Sequence, residues 1–234
     1  MRKLSLLFFF IVTLIAVAEG QNSTETYNVG GRQIRIPPPD EYLNVSPRFA
    51  RIEARLRASQ TANEFIAAFV PGSIFPDLTA SQDIDLKGYA LAVVSPRVKS
   101  TDLTPQMFKA VVAEIEKNFG TYLDPNGAAM KRAAKNSGTK LSEFWGTDIN
   151  LSVSGVKNLG FFQKTNNAFS GMMLASVKVF DREIENLGTF SIVNVNKRLI
   201  FVYAFQNSPV GEDVAKLQTL TKNWTAKIIA ANGK

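Results

Sequence analysis

The clearest helical pattern in the chain lies between a threonine and a glycine. Thr104 can cap a helix, Pro105 suits its first position, and Gly120 follows its end. Between them, apolar residues recur every fourth position on one face: Met107, Val111, Ile115 and Phe119. The pattern predicts a helix over residues 104–119, with that stripe facing the core.

Three other segments carry helical periodicity. Residues 46–58 begin with a candidate cap, Ser46, and residues 125–136 form a weaker helical segment that ends near Gly138. Residues 209–231 predict a long closing helix. Its apolar stripe consists of Val214, Leu217, Leu220, Trp224 and Ile228.

Strand patterns fill much of the remaining chain. Residues 27–29 and 32–36 flank Gly30-Gly31 and predict a tight hairpin, which ends at Pro37-Pro38-Pro39. Residues 64–70 predict a strand, residues 73–87 a loop, and residues 88–96 an interior strand that is apolar on both faces. From residue 146 onward alternation predicts an antiparallel meander. Its strands are 149–154, 159–164, 169–180, 187–195 and 198–206, the last of them near the centre of the sheet.

These elements predict an α+β fold. We expect a single, mostly antiparallel sheet covered by helices on both faces, an αβα sandwich with a long C-terminal helix. The predicted organisation is a signal peptide at 1–20, a loose segment with the first short strand at 21–30, and one α+β domain at 31–234.

The first twenty residues have the parts of an export signal. Arg2 and Lys3 precede an apolar run over residues 4–17, and small residues then favour cleavage after Ala18 or Gly20. An uncleaved anchor is the alternative. We therefore predict a secreted or periplasmic protein without a transmembrane anchor after cleavage, and the absence of cysteine excludes a lipoprotein.

The amino-acid composition excludes several classes of catalytic and metal site. The chain has no histidine and no cysteine, which excludes Ser-His-Asp and Cys-His catalysis and the ordinary zinc sites. The formal net charge is +7, and removal of Arg2, Lys3 and Glu19 with the signal leaves 7 − 2 + 1 = +6. This charge favours either simple solubility or attraction to an anionic envelope surface. No cofactor and no nucleic-acid partner are expected, since an exported protein rarely meets nucleic acid.

Three short motifs are weak catalytic or metal candidates. Ser137 and Lys140 match a Ser-x-x-Lys pattern, but we expect the helix that this chemistry needs to end near Gly138. Glu183 and Glu185 could pair as acid and base, but beside Asp181 and Arg182 a charged turn is the better explanation. The segment that begins at Asp83-Ile84-Asp85 lacks the later oxygen ligands of a calcium loop. We therefore assign no catalytic and no metal residues.

The binding candidates are three arginines spaced about one helical turn apart. Arg48, Arg51 and Arg55 could together hold a phosphate or a carboxylate. A solvated helix face is the alternative interpretation.

The order of elements resembles the PsbP-like αβα fold, which occurs in small exported bacterial proteins. The strand GRQIRIPPPDEY, the hairpin TFSIVNVNKRLIFVYAF and the closing helix with Trp224 carry the resemblance. It implies a binding or accessory protein rather than an enzyme. We therefore expect an exported, non-enzymatic binding or accessory protein of the cell envelope, whose partner is another protein or an envelope component. A hydrolase that uses serine and lysine or carboxylates, and an electrostatic binder of anionic surfaces, are the alternatives.

Overall fold

A computed structural model describes residues 24–46, 48–81, 85–180 and 182–233. These residues form nine strands and five helices, and a 3-10 turn (Gly72–Ile74) precedes the second helix. The strands are β1 (Glu25–Val29), β2 (Arg32–Ile36), β3 (Tyr42–Asn44), β4 (Glu64–Pro71), β5 (Gly88–Val94), β6 (Leu151–Lys164), β7 (Ala168–Val179), β8 (Arg182–Val195) and β9 (Arg198–Asn207). The helices are α1 (Ala50–Ala58), α2 (Phe75–Ala80), α3 (Pro105–Tyr122), α4 (Ala128–Trp145) and α5 (Asp213–Asn232).

Seven strands form one sheet in the order β3-β4-β5-β9-β8-β7-β6, and every neighbouring pair is antiparallel. The meander predicted from residue 146 onward is present as β6 to β9. β9 is the fourth of the seven strands, which confirms its predicted central place.

Helices cover both faces of this sheet, which confirms the predicted α+β sandwich. Along β5 and β9 the side chains alternate between two apolar clusters, with Ala90 and Val202 on one face and Leu91 and Tyr203 on the other. Such strands are apolar throughout because neither face meets water.

One face is covered by α5 together with the β1–β2 hairpin. Trp224 of α5 is fully buried, its ring meets Phe69 at 5.6 Å, and its indole nitrogen donates a 2.8 Å hydrogen bond to the Pro37 carbonyl. Arg35 and Asn232 connect β2 to the end of α5 through two further hydrogen bonds. The hairpin turn at Gly30-Gly31 is confirmed, but β1 and β2 form their own two-stranded sheet rather than an edge of the large one.

A buried arginine fixes that hairpin to the rest of the molecule. Arg198, at the start of β9, donates hydrogen bonds to the carbonyls of Val29, Gly30 and Thr101, and it pairs with Asp102 at 2.5 Å. The charge is thus satisfied from several directions inside the protein.

The other face carries the remaining four helices. α1 and α2 pack on β4 and β5 through a cluster that contains Phe49, Ile52 and Leu78. α3 packs on the meander through a cluster that contains Phe108 and Phe119. α4 lies over β6 and beside α1.

Several predicted boundaries were wrong. α1 begins at Ala50, and the hydroxyl of Ser46 donates to Glu53 instead of capping the helix. The predicted loop at 73–87 contains α2, and the strands predicted at 149–154 and 159–164 are one strand, β6. α3 has the predicted Thr104 cap but continues past Gly120, and α4 passes through Gly138.

The sheet has two different outer edges. β3 at one edge has three residues. β6 at the other edge has fourteen, and its register with β7 shifts at three points: between Val153 and Gly155, Asn158 and Gly160, and Phe161 and Gln163.

The predicted signal peptide at 1–20 lies outside the described residues, as do residues 21–23 of the loose segment. The division into segments 1–20, 21–30 and 31–234 stays a prediction. None of the helices among the described residues is long and apolar enough to cross a membrane.

Candidate ligand cavity between helix α4 and the sheet

An open cavity of about 650 Å³ lies between α1, α4 and the sheet. We call it the α4 cavity. Its wall is mostly apolar and is formed by α1, α4, β5 and the ends of β6, β7 and β8. The apolar side chains are Leu56, Leu86, Tyr89, Leu141, Trp145, Ile149, Leu151, Val177, Val179, Phe180 and Ile184. A concave apolar wall with a few polar groups is typical of small-molecule sites.

The cavity exists because α4 touches the sheet along a narrow line. Ala134 and Gly138 are the buried residues of this eighteen-residue helix. A side chain at Gly138 would lie 3.0 Å from the Ile149 carbonyl oxygen, so glycine allows α4 to approach β6 there. Beyond this contact α4 runs to Trp145 and ends at Gly146, which has the left-handed conformation typical of a helix terminus.

Two aromatic side chains at the cavity are accessible to water. Trp145 is 37% exposed, and Phe180, in the turn between β7 and β8, is 53% exposed. Large aromatic rings that remain in water beside an apolar concavity are typical of surfaces that bind something.

The polar groups of the wall differ in how well they are satisfied. Asn207 donates 2.6 Å to the Leu86 carbonyl and accepts 2.5 Å from Asn186, so these two amides hold each other. The Tyr89 hydroxyl, in contrast, has no hydrogen-bond partner in the described part of the chain. Burial raises the pKa of Tyr89 to about 12, and the positive charge of Arg55 opposes this rise. A neutral phenol and a guanidinium therefore both line this wall.

The structure brings one of the three predicted arginines to this cavity. Arg55 lines it. Arg48 lies 4.7 Å over the Phe75 ring, while Arg51 lies 5.6 Å from the Phe144 ring and 5.4 Å from the Trp145 ring. Arg48 precedes α1 rather than standing on it. The three guanidinium groups thus have different surroundings, and a shared anion site stays a prediction.

The serine and lysine candidates are on one helix but have separate partners. Because α4 continues through Gly138, the expected helix end there was wrong. The Ser137 hydroxyl donates 3.2 Å to the Ser59 carbonyl, and the Lys140 ammonium pairs with Glu143 at 2.7 Å on the exposed side of the helix. Ser137 lines the α4 cavity, but the lysine that would activate it faces another partner.

Of the acidic candidates, Glu183 and Glu185 do not line the cavity. Glu183 and Glu185 stand in β8, so the expected charged turn was wrong, and Glu183 accepts a 2.5 Å hydrogen bond from Ser154. Asp85 lines the cavity, while residues 82–84 lie outside the described residues. In the described ranges no group of three or more acidic side chains could hold a metal ion.

Sequence reasoning missed Trp145, Phe180 and Tyr89 as functional candidates. Leu141 and Trp145 lie one helical turn apart just before Gly146, which is a signal for a helix that continues beyond Gly138. Nothing in the sequence indicated that the Tyr89 hydroxyl lacks a partner, because this depends on which helices cover β5.

No protein-family model matches this chain, and neither does any curated protein. The solved structures that are similar to it include a point mutant of the protein Mog1 and the Ran-binding protein Mog1p of Saccharomyces cerevisiae. Each is 9% identical in sequence to this chain and aligns with 90% of it. The alignment covers 94% of the Mog1 mutant, with a TM-score of 0.33, and 95% of Mog1p, with a TM-score of 0.27. Similarity this low carries no information on what this chain binds, and the PsbP-like resemblance stays a prediction.

Proposed function

We propose that this protein is an exported, non-enzymatic binding protein of the cell envelope, and that it holds an apolar small molecule in the α4 cavity. The observation that carries the proposal is the cavity itself. Its volume of about 650 Å³ lies within the range of small-molecule sites, about 300–1,000 Å³. Water in such an apolar space is displaced favourably by an apolar ligand.

The proposal of binding rather than catalysis is supported by the polar groups of the wall. The side chains of Ser137 and Asn207 donate hydrogen bonds to main-chain carbonyls, and Lys140 pairs with Glu143. A nucleophile needs a base within hydrogen-bond reach, and these contacts leave Ser137 without one.

The cavity can be tested with N-phenyl-1-naphthylamine, a neutral apolar dye whose fluorescence rises when it leaves water. We expect the protein to bind the dye and Ile184→Lys to weaken binding at least tenfold, because a charge on the apolar wall must lose its water to share the site. Ile184 is partly exposed, so the variant is expected to fold.

Val214→Lys is the matched control. Val214 is a partly exposed aliphatic residue on α5, outside the cavity, and its replacement is expected to leave dye binding unchanged. Circular dichroism checks that both variants are folded. Absence of dye binding, or equal binding by the wild type and Ile184→Lys, would contradict the proposal.

The export part of the proposal rests on residues 1–20 of the sequence. Expression of the full chain in a bacterium, followed by mass spectrometry of the periplasmic and extracellular fractions, tests it. We expect a mature protein that begins at Glu19 or Gln21. An intact chain confined to the cytoplasm would contradict export and leave the cavity proposal standing.

A further inference from the structure

We infer that the ligand of the α4 cavity is an amphipathic carboxylate, with an apolar body beneath α4 and its carboxylate at Tyr89 and Arg55. This inference rests on the proposed function and adds the chemical class of the ligand. It follows from two donors, Tyr89 and Arg55, that line a mostly apolar wall.

The first donor is the Tyr89 hydroxyl. Tyr89 belongs to the central strand β5, its ring packs 4.9 Å from the Phe205 ring, and it lines the cavity. The Tyr89 side chain is partly exposed, and its hydroxyl, which has no hydrogen-bond partner among residues 24–46, 48–81, 85–180 and 182–233, can donate to a molecule in the cavity. Since its pKa is raised to about 12, the group remains a donor throughout the physiological pH range.

The second donor is the guanidinium of Arg55. It lines the same cavity as Tyr89, and its positive charge opposes the rise that burial causes in the pKa of the Tyr89 hydroxyl. Arg55 also has a further interaction within the protein, but a guanidinium carries five N–H donors and can serve more than one acceptor. A carboxylate accepts hydrogen bonds from a phenol and a guanidinium together, and such charge-assisted bonds are stronger than neutral ones.

The opposite charge in the wall does not reverse this preference. Asp85 lines the same cavity but is exposed, so water screens its repulsion of a carboxylate. A cationic ligand would place its charge beside Arg55, which is unfavourable where the wall excludes water.

The apolar part of the wall sets the rest of the ligand. Val177, Val179 and Ile184 line the cavity from the ends of β7 and β8, and Trp145 and Phe180 lie beside them. An alkyl chain that packs against these side chains is removed from water, and so are the exposed edges of both aromatic rings. Both changes favour binding. A fatty acid of medium length has this combination of properties.

The test compares three probes that share a decyl chain: decanoate, decanol and decyltrimethylammonium. Each is titrated against the protein loaded with N-phenyl-1-naphthylamine. We expect decanoate to displace the dye at a concentration at least tenfold lower than decanol, since hydrogen bonds to a charged group supply the difference. Decyltrimethylammonium is expected to be the weakest.

Variants locate the carboxylate. Arg55→Met and Tyr89→Phe are each expected to weaken decanoate about tenfold while decanol keeps its affinity, and Arg55→Lys is expected to retain part of the preference because it keeps the charge. Arg57→Met is the matched control. Arg57 stands two residues further along α1, pairs with Glu53, and does not line the cavity. Thermal melting shows whether each variant is folded.

The outcomes separate the two proposals. If all three probes displace the dye equally and Arg55→Met changes none of them, the carboxylate inference is wrong while the cavity remains a binding site. If the dye does not bind, the cavity proposal is contradicted, and the carboxylate inference, which rests on it, is overturned with it.

Discussion

The two faces of the sheet are covered by long helices that differ greatly in how firmly they are held. α5 buries five residues against the sheet and the hairpin: Leu217, Thr221, Trp224, Thr225 and Ile228. α4 is nearly as long but buries two small residues, Ala134 and Gly138. The first helix contributes apolar burial to stability, whereas the second leaves apolar wall uncovered and accessible.

Polar contacts hold both helices but differ in depth: α4 is held by the partly buried bonds from Ser137 to the Ser59 carbonyl and from the Ile149 amide to Ser142. Under α5 the hydroxyls of Thr189 and Thr221 meet at 2.7 Å inside the core, and Gln163 donates 3.0 Å to Thr225. Buried hydrogen bonds of this kind fix one position of a helix on a sheet. The end of α4 instead presents Phe144 and Trp145 to Arg51 near the surface. Regions that bind ligands commonly have such low local stability.

The largest contrast is expected between the two tryptophans. Trp224→Ala should lower the free energy of unfolding by about 3–5 kcal/mol, since it removes a fully buried ring. Trp145→Ala should lower it by about 1 kcal/mol or less, because that side chain is partly exposed. Urea denaturation measures both, and equal losses would show that the two faces do not differ as described.

The next largest effect concerns the arginine that holds the hairpin on the α5 face. Arg198→Met should lower the free energy of unfolding by about 2–3 kcal/mol, because buried carbonyls lose their donors. Arg32 pairs with the same Asp102 from an exposed position, so Arg32→Met should cost less than about 1 kcal/mol. Denaturant titration of both variants decides, and a similar cost for the two would contradict the role given to Arg198.

A smaller effect separates two helical glycines. Gly120 of α3 has open space around it, so Gly120→Ala should stabilise the protein by about 0.5–1 kcal/mol through helix propensity. Gly138→Ala should show less of this gain, because its new methyl group would press on the Ile149 carbonyl. Melting temperatures compare them. An equal gain at both positions would mean that α4 does not need glycine for its close approach to β6.

The smallest effect is a dependence on pH. The hydrogen bond from Arg198, assisted by Arg32, lowers the pKa of Asp102. Ionised Asp102 therefore stabilises the folded protein above the ordinary carboxyl pKa of about 4. This contribution is lost as the pH falls through the pKa that Asp102 has in the folded protein. Asp102→Asn should be less stable than the wild type at pH 6, and the difference should shrink towards pH 2. Urea midpoints at the two pH values measure this, and a constant difference would contradict it.

The sequence predicted best the segments whose pattern leaves one solution. β5 and β9 are apolar on both faces, which requires an interior position, and both lie in the middle of the sheet. The stripe predicted for α3 was only partly right: Phe119 is buried, Val111 and Ile115 pack partly buried on the same cluster, but Met107 is 41% exposed. The neighbouring Phe108 and Val112 are buried. Two neighbouring sets of apolar residues on α3 both have helical spacing, so the sequence alone does not decide which set is buried. The elements that pack against α3 decide it.

The candidate cavity could not be predicted because it depends on Gly138, which is compatible with two different structural roles. Gly138 resembles a helix terminus in the sequence, but in the structure it is the point where α4 crosses β6. Because the predicted helix ended near Gly138, it did not include Trp145, and the sequence did not indicate that Trp145 lines the same cavity as Arg55 and Tyr89. The αβα arrangement depends on periodicity alone, whereas the cavity depends on where one helix rests.

The outermost strand β6 has a consequence for how molecules of this protein meet one another. A second chain that paired with this edge would need a regular row of donors and acceptors, and three register shifts interrupt the strand. The opposite edge, β3, offers only three residues to such a neighbour. Both edges of the sheet are therefore poor templates for fibril growth.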